Sequence, residues 1–220
     1  MNDKPQSRMT TVFIISAPSG SGKSTLVHRL LKTVPNLAFS ISYTTRQPRP
    51  TETDGVDYIF ITRKDFLDRL ARGEFLEYAE VFGNYYGTNR ETFESATRQG
   101  NDLVLDIDVQ GARQLKVAIP QAISIFVLPP SRDVLEQRLG SRSQDSEEVI
   151  QRRLRGAAEE VQNYTHYDFV LINRDIERAS ARLATIVEAE RLRKARMEEE
   201  VRPILESFKN TDSFTISLGE

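Results

Sequence analysis

After a polar opening over residues 1–10, the chain turns apolar at Val12-Phe13-Ile14-Ile15, a short run of strand type. Leu26, Val27, Leu30, Leu31 and Val34 then recur at helical spacing until Pro35 closes the segment. Further apolar runs at 103–107, 123–128 and 169–172 have helical stretches between them. Strands alternating with helices predict a parallel sheet covered on both faces, an α/β fold in three layers. Residues 38–95 break this rhythm with Pro48, Pro50, Gly55, Gly73, Gly83 and Gly87, several β-formers, and a high density of Arg, Tyr and Glu. They read as an inserted mixed α+β substrate-binding subdomain. Residues 131–156 are rich in Arg and Glu and nearly without aromatics, which suits a mobile helical lid. From Ile176 to about Glu200, Ile176, Ala179, Leu183, Ile186 and Val187 share one helical face before the segment becomes a charged helix end. The expected organisation is a core of 11–37, 96–130 and 157–198, the insert at 38–95, the lid at 131–156, and tails at 1–10 and 199–220.

Between the first strand and the first helix lies Ala17-Pro18-Ser19-Gly20-Ser21-Gly22-Lys23-Ser24, followed by Thr25. This fits a phosphate-binding loop (P-loop), with Ala17 where the strict pattern has glycine. Gly20 and Gly22 lack Cβ, so the backbone can turn sharply and aim successive N–H groups at an anion. The helix N-terminus adds unpaired donors and the positive end of its dipole. Lys23 supplies a full charge to the β and γ phosphates of a nucleotide, and the Ser24 hydroxyl suits Mg²⁺. A second element, Leu103-Val104-Leu105-Asp106-Ile107-Asp108, ends an apolar strand in carboxylates. Beside a phosphate loop such a carboxylate holds Mg²⁺ through coordinated water, and Asp106 is the better placed. Asp108, two residues on, points to the same side of an extended chain. Taken alone, a strand-end Asp is as often a helix cap.

Composition limits the function classes. The chain has 220 residues, enough for one sizeable domain, and a net charge of −2 gives no overall basic field to hold nucleic acid or an anionic membrane. It has no cysteine, which excludes disulfides and thiolate metal sites. The apolar run after residue 10 is too short for a signal peptide or a membrane span, so the expected location is cytoplasmic. His28 and His166 have no carboxylate or nucleophile arrangement near them in sequence, and neither is assigned a catalytic role.

Several stretches together carry a family resemblance. They are 16–25, Ser40-Ile41-Ser42-Tyr43-Thr44-Thr45-Arg46-Gln47-Pro48-Arg49, Gly55-Val56-Asp57-Tyr58, Glu74-Phe75-Leu76-Glu77, Gly83-Asn84-Tyr85-Tyr86-Gly87-Thr88, and Leu105-Asp106-Ile107-Asp108-Val109-Gln110-Gly111. Over roughly residues 11–190 the chain resembles guanylate kinase, the enzyme that phosphorylates GMP to GDP with ATP. The resemblance makes 38–95 the nucleoside-monophosphate-binding subdomain and implies an ATP site at 17–25. It also implies a clamp on the GMP phosphate made of Arg46, Arg49, Tyr58 and Tyr86. Guanidinium forks and phenol hydroxyls independently suit a phosphate dianion.

The family pattern places Ser42, Glu77, Thr88 and Asp108 around the base. Guanine offers donors at N1 and N2, which carboxylates accept, whereas adenine would leave the carboxylates unpaired. Arg138 and Arg142 lie four apart on one helical face, the resemblance adds Arg153 from the next helix, and together they would bring cations to the transferring phosphoryl group. Lys23, Arg46, Arg138, Arg142 and Arg153 are therefore the expected catalytic set, with Ser24 and, through water, Asp106 at the metal. The family usually has glycine after the second lid arginine, where this chain has Ser143. The implied partners are ATP, GMP and Mg²⁺, with dGMP as a further acceptor; no nucleic acid or membrane is expected, and a homo-oligomer is left open. Two rival readings stand beside this one: a P-loop kinase with another phosphorylated acceptor, and a noncatalytic guanylate-kinase-like interaction module. Intact Ser42, Glu77 and Thr88 argue against the first, and intact Gly22-Lys23-Ser24 with Asp106 against the second.

Overall fold

The computed structural model describes residues 10–81, 83–142 and 147–209. Its centre is a five-stranded parallel sheet in the order β2-β7-β1-β8-β9, formed by β1 (Val12–Ser16), β2 (Leu37–Ser40), β7 (Asp102–Asp106), β8 (Ile123–Leu128) and β9 (Phe169–Ile172). All of β1 is buried, as expected of a strand covered on both faces. Its residues alternate between two cores. Phe13 and Ile15 join Leu26, Val27 and Leu30 of α1 (Lys23–Thr33) and Leu183 and Val187 of α7 (Ile176–Arg191). Val12 and Ile14 face Ala96 of α3 (Arg90–Arg98) and Ala112 and Leu115 of α4 (Val109–Ala118). Helices on both faces complete the three layers predicted from the alternation of strands and helices.

A smaller four-stranded sheet, β4-β3-β6-β5, is built from β3 (Tyr43–Thr44), β4 (Ile59–Phe60), β5 (Phe75–Val81) and β6 (Asn84–Asn89). Between β4 and β5 runs α2 (Arg63–Ala71), whose Phe66 is fully buried and stacks on Phe75 and Tyr85 with ring centroids 4.4 and 5.2 Å apart. One edge of this sheet meets the core through a side chain. Gln114 of α4 donates to the Tyr78 carbonyl at 2.6 Å and accepts from the Tyr78 N–H at 3.2 Å, standing in for a neighbouring strand. The helices α5 (Arg132–Arg142) and α6 (Glu147–Glu160) form a third small core of Leu135, Leu139, Leu154 and Ala157.

Three segment limits drawn from sequence fall elsewhere in the structure. Strand β2 spans the limit at 38 and pairs with β7 in the central sheet, and α3 spans the limit at 95 and packs on the core with Ala96 and Phe93. At the other end, α8 (Lys194–Lys209) runs through the limit at 198. The apolar signal of β2, Leu37-Ala38-Phe39, is too short to separate from a loop until its partner β7 is known.

The end of the sheet away from the strand C-termini is tied by a buried ion pair. Arg191 Nε donates to Asp102 Oδ2 at 2.9 Å, Arg191 Nη2 donates to the Pro35 carbonyl at 2.9 Å, and Asp102 Oδ1 accepts the Thr11 N–H at 2.8 Å. Removing one member of a buried pair strands the other charge. Arg191→Ala is expected to lower the unfolding free energy by ~3–5 kcal/mol in urea titration; a loss below ~1 kcal/mol would show the pair to be dispensable.

Candidate active site

In a doubly covered parallel sheet, ligands bind beyond the strand C-termini where the chain switches direction. Here the chain leaves β1 toward β2 and later crosses from β7 over β1 to β8, so the switch falls beside β1, where residues 17–24 lie. Gly20 and Gly22 hold φ of +87° and +88°, left-handed values that favour glycine. Both also lack room for a side chain. A Cβ on Gly20 would sit 2.9 Å from Leu135 Cδ1 and Leu139 Cδ2, and one on Gly22 would sit 2.5 Å from Asn173 Nδ2. Ala17 packs against the core beneath the loop, while Ser19, Ser24 and Thr25 are exposed to solvent. The loop is fastened from behind: Ser21 N–H donates to the Pro18 carbonyl at 3.1 Å, and Asn173 Nδ2 donates to the Ser21 carbonyl at 2.8 Å.

Parallel pairing sets Ile15 beside Asp106, bringing the end of β7 to the start of α1. Lys23 Nζ forms an ion pair with Asp106 Oδ1 and donates to the Ile107 carbonyl at 3.2 Å. Ser24 Oγ donates to Asp106 Oδ2 at 3.4 Å. The three residues assigned from sequence to phosphate and metal thus converge. Ser24 and Asp106 offer hard oxygens, as suits Mg²⁺, and among the described residues no cluster of three or more His, Cys, Asp or Glu could enclose a metal by itself.

The residues expected on the acceptor side form two groups. Glu77 on β5 lies opposite Thr88 on β6, and Thr88 Oγ1 donates to Glu77 Oε1 at 2.6 Å. Glu77 is only 4% exposed. Burial pushes its carboxyl up to about 7; the Thr88 hydrogen bond opposes the shift, and the charge of Asp108 adds to it. Asp108 has a structural duty that the sequence left as an alternative reading: it is the N-cap of α4, with Oδ1 accepting the Gly111 N–H at 2.9 Å. Gly111 is the close-approach point, since a Cβ there would collide with Glu77 Oε2. In the second group the Arg46 guanidinium lies over the Tyr58 and Phe60 rings, 5.3 and 5.8 Å from their centroids, and Tyr58 meets Tyr86 edge-on at 6.0 Å. Arg49, in contrast, is largely exposed.

The two halves face each other. Burial drives the Tyr58 phenol up to about 12, with the charge of Asp106 adding to the shift, so a residue of the acceptor insert feels the carboxylate at the phosphate loop. Ser42, Tyr58 and Asp57 line a cavity of about 120 Å³ together with Ser24, His28 and Asp106. From α5, Arg138 reaches the loop, donating to the Ser21 carbonyl at 3.3 Å and the Asn173 carbonyl at 3.0 Å. Arg153 is half-buried on α6; Ser143 and the side chain of Arg142 lie outside the described residues. Sequence reading missed Asn173, Glu52 and Glu160. Glu160, at the end of α6, faces the Ser19 amide, and its carboxyl is raised mainly by burial, with Lys23 opposing and Asp108 adding.

The family model for guanylate kinase matches residues 9–190. A guanylate kinase of Koribacter versatilis is 55% identical over 202 residues, covering 90% of this chain and 87% of that protein. That of Escherichia coli K12 is 50% identical over 191 residues, 86% of this chain and 92% of the relative. The chain belongs to the guanylate kinase family. A crystal structure of guanylate kinase from Anaplasma phagocytophilum superposes with a TM-score of 0.73 at 34% identity, covering 89% of this chain and 95% of the other. The P-loop α/β fold is therefore shared with a guanylate kinase, and α8 lies beyond the family match.

The raised Glu77 carboxyl makes stability depend on pH. An unfolded glutamate releases its proton near 4.5, whereas the folded state holds it to about 7, so the contribution is full below 4.5 and declines as pH rises toward 7. Urea titrations across that range should show a shallower decline for Glu77→Gln than for the native chain. Parallel curves would mean that Glu77 ionises normally.

Proposed function

We propose that this guanylate kinase family member transfers the γ-phosphoryl group of ATP to GMP, yielding ADP and GDP in purine nucleotide metabolism, with dGMP as a second acceptor. The observation that carries the reading is the buried Glu77–Thr88 pair beside Asp108, which follows by two residues the Asp106 of the Lys23–Asp106–Ser24 cluster at the end of β7. A buried carboxylate is costly unless it meets donors, and the N1 and N2 hydrogens of guanine supply them. With Ser42 and Thr88 completing the edge, the pocket favours guanine and leaves its carboxylates unpaired against adenine.

The phosphate of GMP is held by Arg46, Arg49, Tyr58 and Tyr86, and the ATP phosphates by the backbone of 17–25 with Lys23. A GMP phosphate oxygen attacks the γ phosphorus in line, and ADP departs. The nucleophile is already anionic, so no general base is needed. Catalysis is positioning plus positive charge around the transferring group, from Lys23, Arg46 and the lid arginines Arg138, Arg142 and Arg153. Ser24 and Asp106 fit Mg²⁺ that takes most of its shell from water and substrate phosphates; when bound, it offsets charge on the β and γ phosphates. Lys23 then exchanges Asp106 for phosphate. We place the reaction in the cytoplasm, where both nucleotides are available; among the described residues no helix is long and apolar enough to cross a membrane. A noncatalytic binding module would need neither Lys23 nor Asp106.

A coupled assay with ATP and each of GMP, dGMP, AMP, CMP and UMP should show turnover with GMP and dGMP alone; equal use of AMP, or none of GMP, would defeat the proposal. Glu77→Gln introduces an amide donor against the guanine donors, so the ratio of kcat/KM for GMP over AMP should fall. An unchanged ratio would remove Glu77 from base reading. Lys23→Ala should keep the fold and lose on the order of 10²–10⁴ in kcat. Native-like turnover by that variant would exclude Lys23 from the transferring site.

A further inference from the structure

Arg46 and Arg49 differ sharply in this structure: the Arg46 side chain is 17% exposed and that of Arg49 is 66% exposed. Glu52, a residue without an assigned role, joins them. Its side chain is 12% exposed, and it meets both arginines, with Arg49 Nη1 lying 3.7 Å from Oε1. Oε1 accepts from Arg46 Nη2 at 2.9 Å, and Oε2 accepts from the backbone N–H of Arg49 at 2.8 Å. The Glu52 N–H returns a bond to the Arg49 carbonyl at 3.0 Å, so the same residue closes the Arg49–Glu52 turn twice. Arg46 Nη1 donates to the Gln47 carbonyl at 2.7 Å, and its guanidinium plane is held over Tyr58 and Phe60. Two of the five guanidinium N–H donors are thereby held, leaving three for other partners, the Tyr86 hydroxyl among them. Burial works against ionisation of Glu52, yet the bonds from Arg46 and the Arg49 amide hold its carboxyl below the ordinary range.

We propose that Glu52 is a positioning residue for the acceptor phosphate: it locks the Arg46 fork and the Arg49 backbone so that their remaining donors converge on the phosphate of the bound nucleotide. The proposal rests on the GMP-kinase reading above. A carboxylate this close to Arg46 could instead occupy the place of the phosphate and have to leave when GMP arrives. The turn argues against that. Displacing the carboxylate would break the Oε2 bond that closes the Arg49–Glu52 turn, whereas the Arg46 donors not held by Glu52 and Gln47 can be engaged without any such cost. Glutamine in this place has one acceptor oxygen for two donors, and its amide NH₂ would face a guanidinium or a backbone N–H.

Glu52→Gln separates these possibilities in the full-length protein. Calorimetry should show GMP binding weakened about ten- to a hundredfold, the loss of one charge-assisted hydrogen bond, while guanosine, which lacks the phosphate, binds as to the native chain. In steady state the KM for GMP should rise by a similar factor with the KM for ATP unchanged. In an Arg46→Ala background the same substitution should add little, because the group it positions is gone. Unchanged or tighter GMP binding would overturn the proposal, the latter showing a competing carboxylate. Equal weakening of GMP and guanosine would also overturn it, showing a general structural role, and Glu52→Ala should repeat the pattern if the glutamine variant folds poorly. Native protein that fails to bind GMP would defeat the functional reading and this role together, whereas native binding with an indifferent Glu52→Gln defeats this role alone.

Discussion

The ion pair between Lys23 and Asp106 is the contact through which the rest of the site is assembled. A lysine at the start of a helix, beside a loop of inward-facing amides, sits where positive potential already accumulates, and its charge needs a counter-ion. Asp106 supplies one from the neighbouring strand, in a position fixed by the Ile15–Asp106 register. The same carboxylate accepts from Ser24 and acts electrostatically on Tyr58 of the acceptor insert. One charge at the end of β7 thus links the phosphate loop, the oxygen donors suited to a metal and the facing subdomain.

The acceptor side depends on a second constraint, the N-terminus of α4. Asp108 caps it, Gly111 in its first turn lets Glu77 approach, and Gln114 one turn later takes the edge of β5. The point where Glu77 approaches the helix and the joint to the edge of the small sheet are therefore on consecutive turns of α4. Movement of the small sheet relative to α4 would disturb Glu77 directly. Burial of Glu77 at the cost of a raised pKa fits a group held ready for a partner with donors rather than one chosen for stability.

The α5–α6 pair, proposed as a lid, is coupled to the loop through packing as well as hydrogen bonds. Leu135 and Leu139 approach Gly20 so closely that no side chain fits, and Arg138 from the same helix bonds two backbone carbonyls behind the loop. A shift of α5 would be felt by the loop backbone, and would give the proposed lid a mechanical route to the proposed phosphate site.

What the sequence determined was whatever rests on local pattern. Four of the five central strands, the first helix and the loop between them follow from apolar runs, helical spacing and glycine placement, each of which a single segment expresses by itself. Lys23, Ser24 and Asp106 were singled out for the same reason, and they meet in the fold; the quoted motifs around Arg46, Tyr86 and Asp108 supplied the residues proposed for the acceptor. The tertiary structure alone decided the rest. Strand β2 became visible only through its pairing with β7, and Asp108 became a helix cap once α4 began at Val109. Asn173, Gln114 and Glu52 carry no periodic signal. Asn173 and Gln114 are defined by partners 152 and 36 residues away, and Glu52 by the way one turn presents its carboxylate to Arg46. Polar side chains gain a role from the donors and acceptors that folding brings to them, and only the closed register of the two sheets specifies which these are.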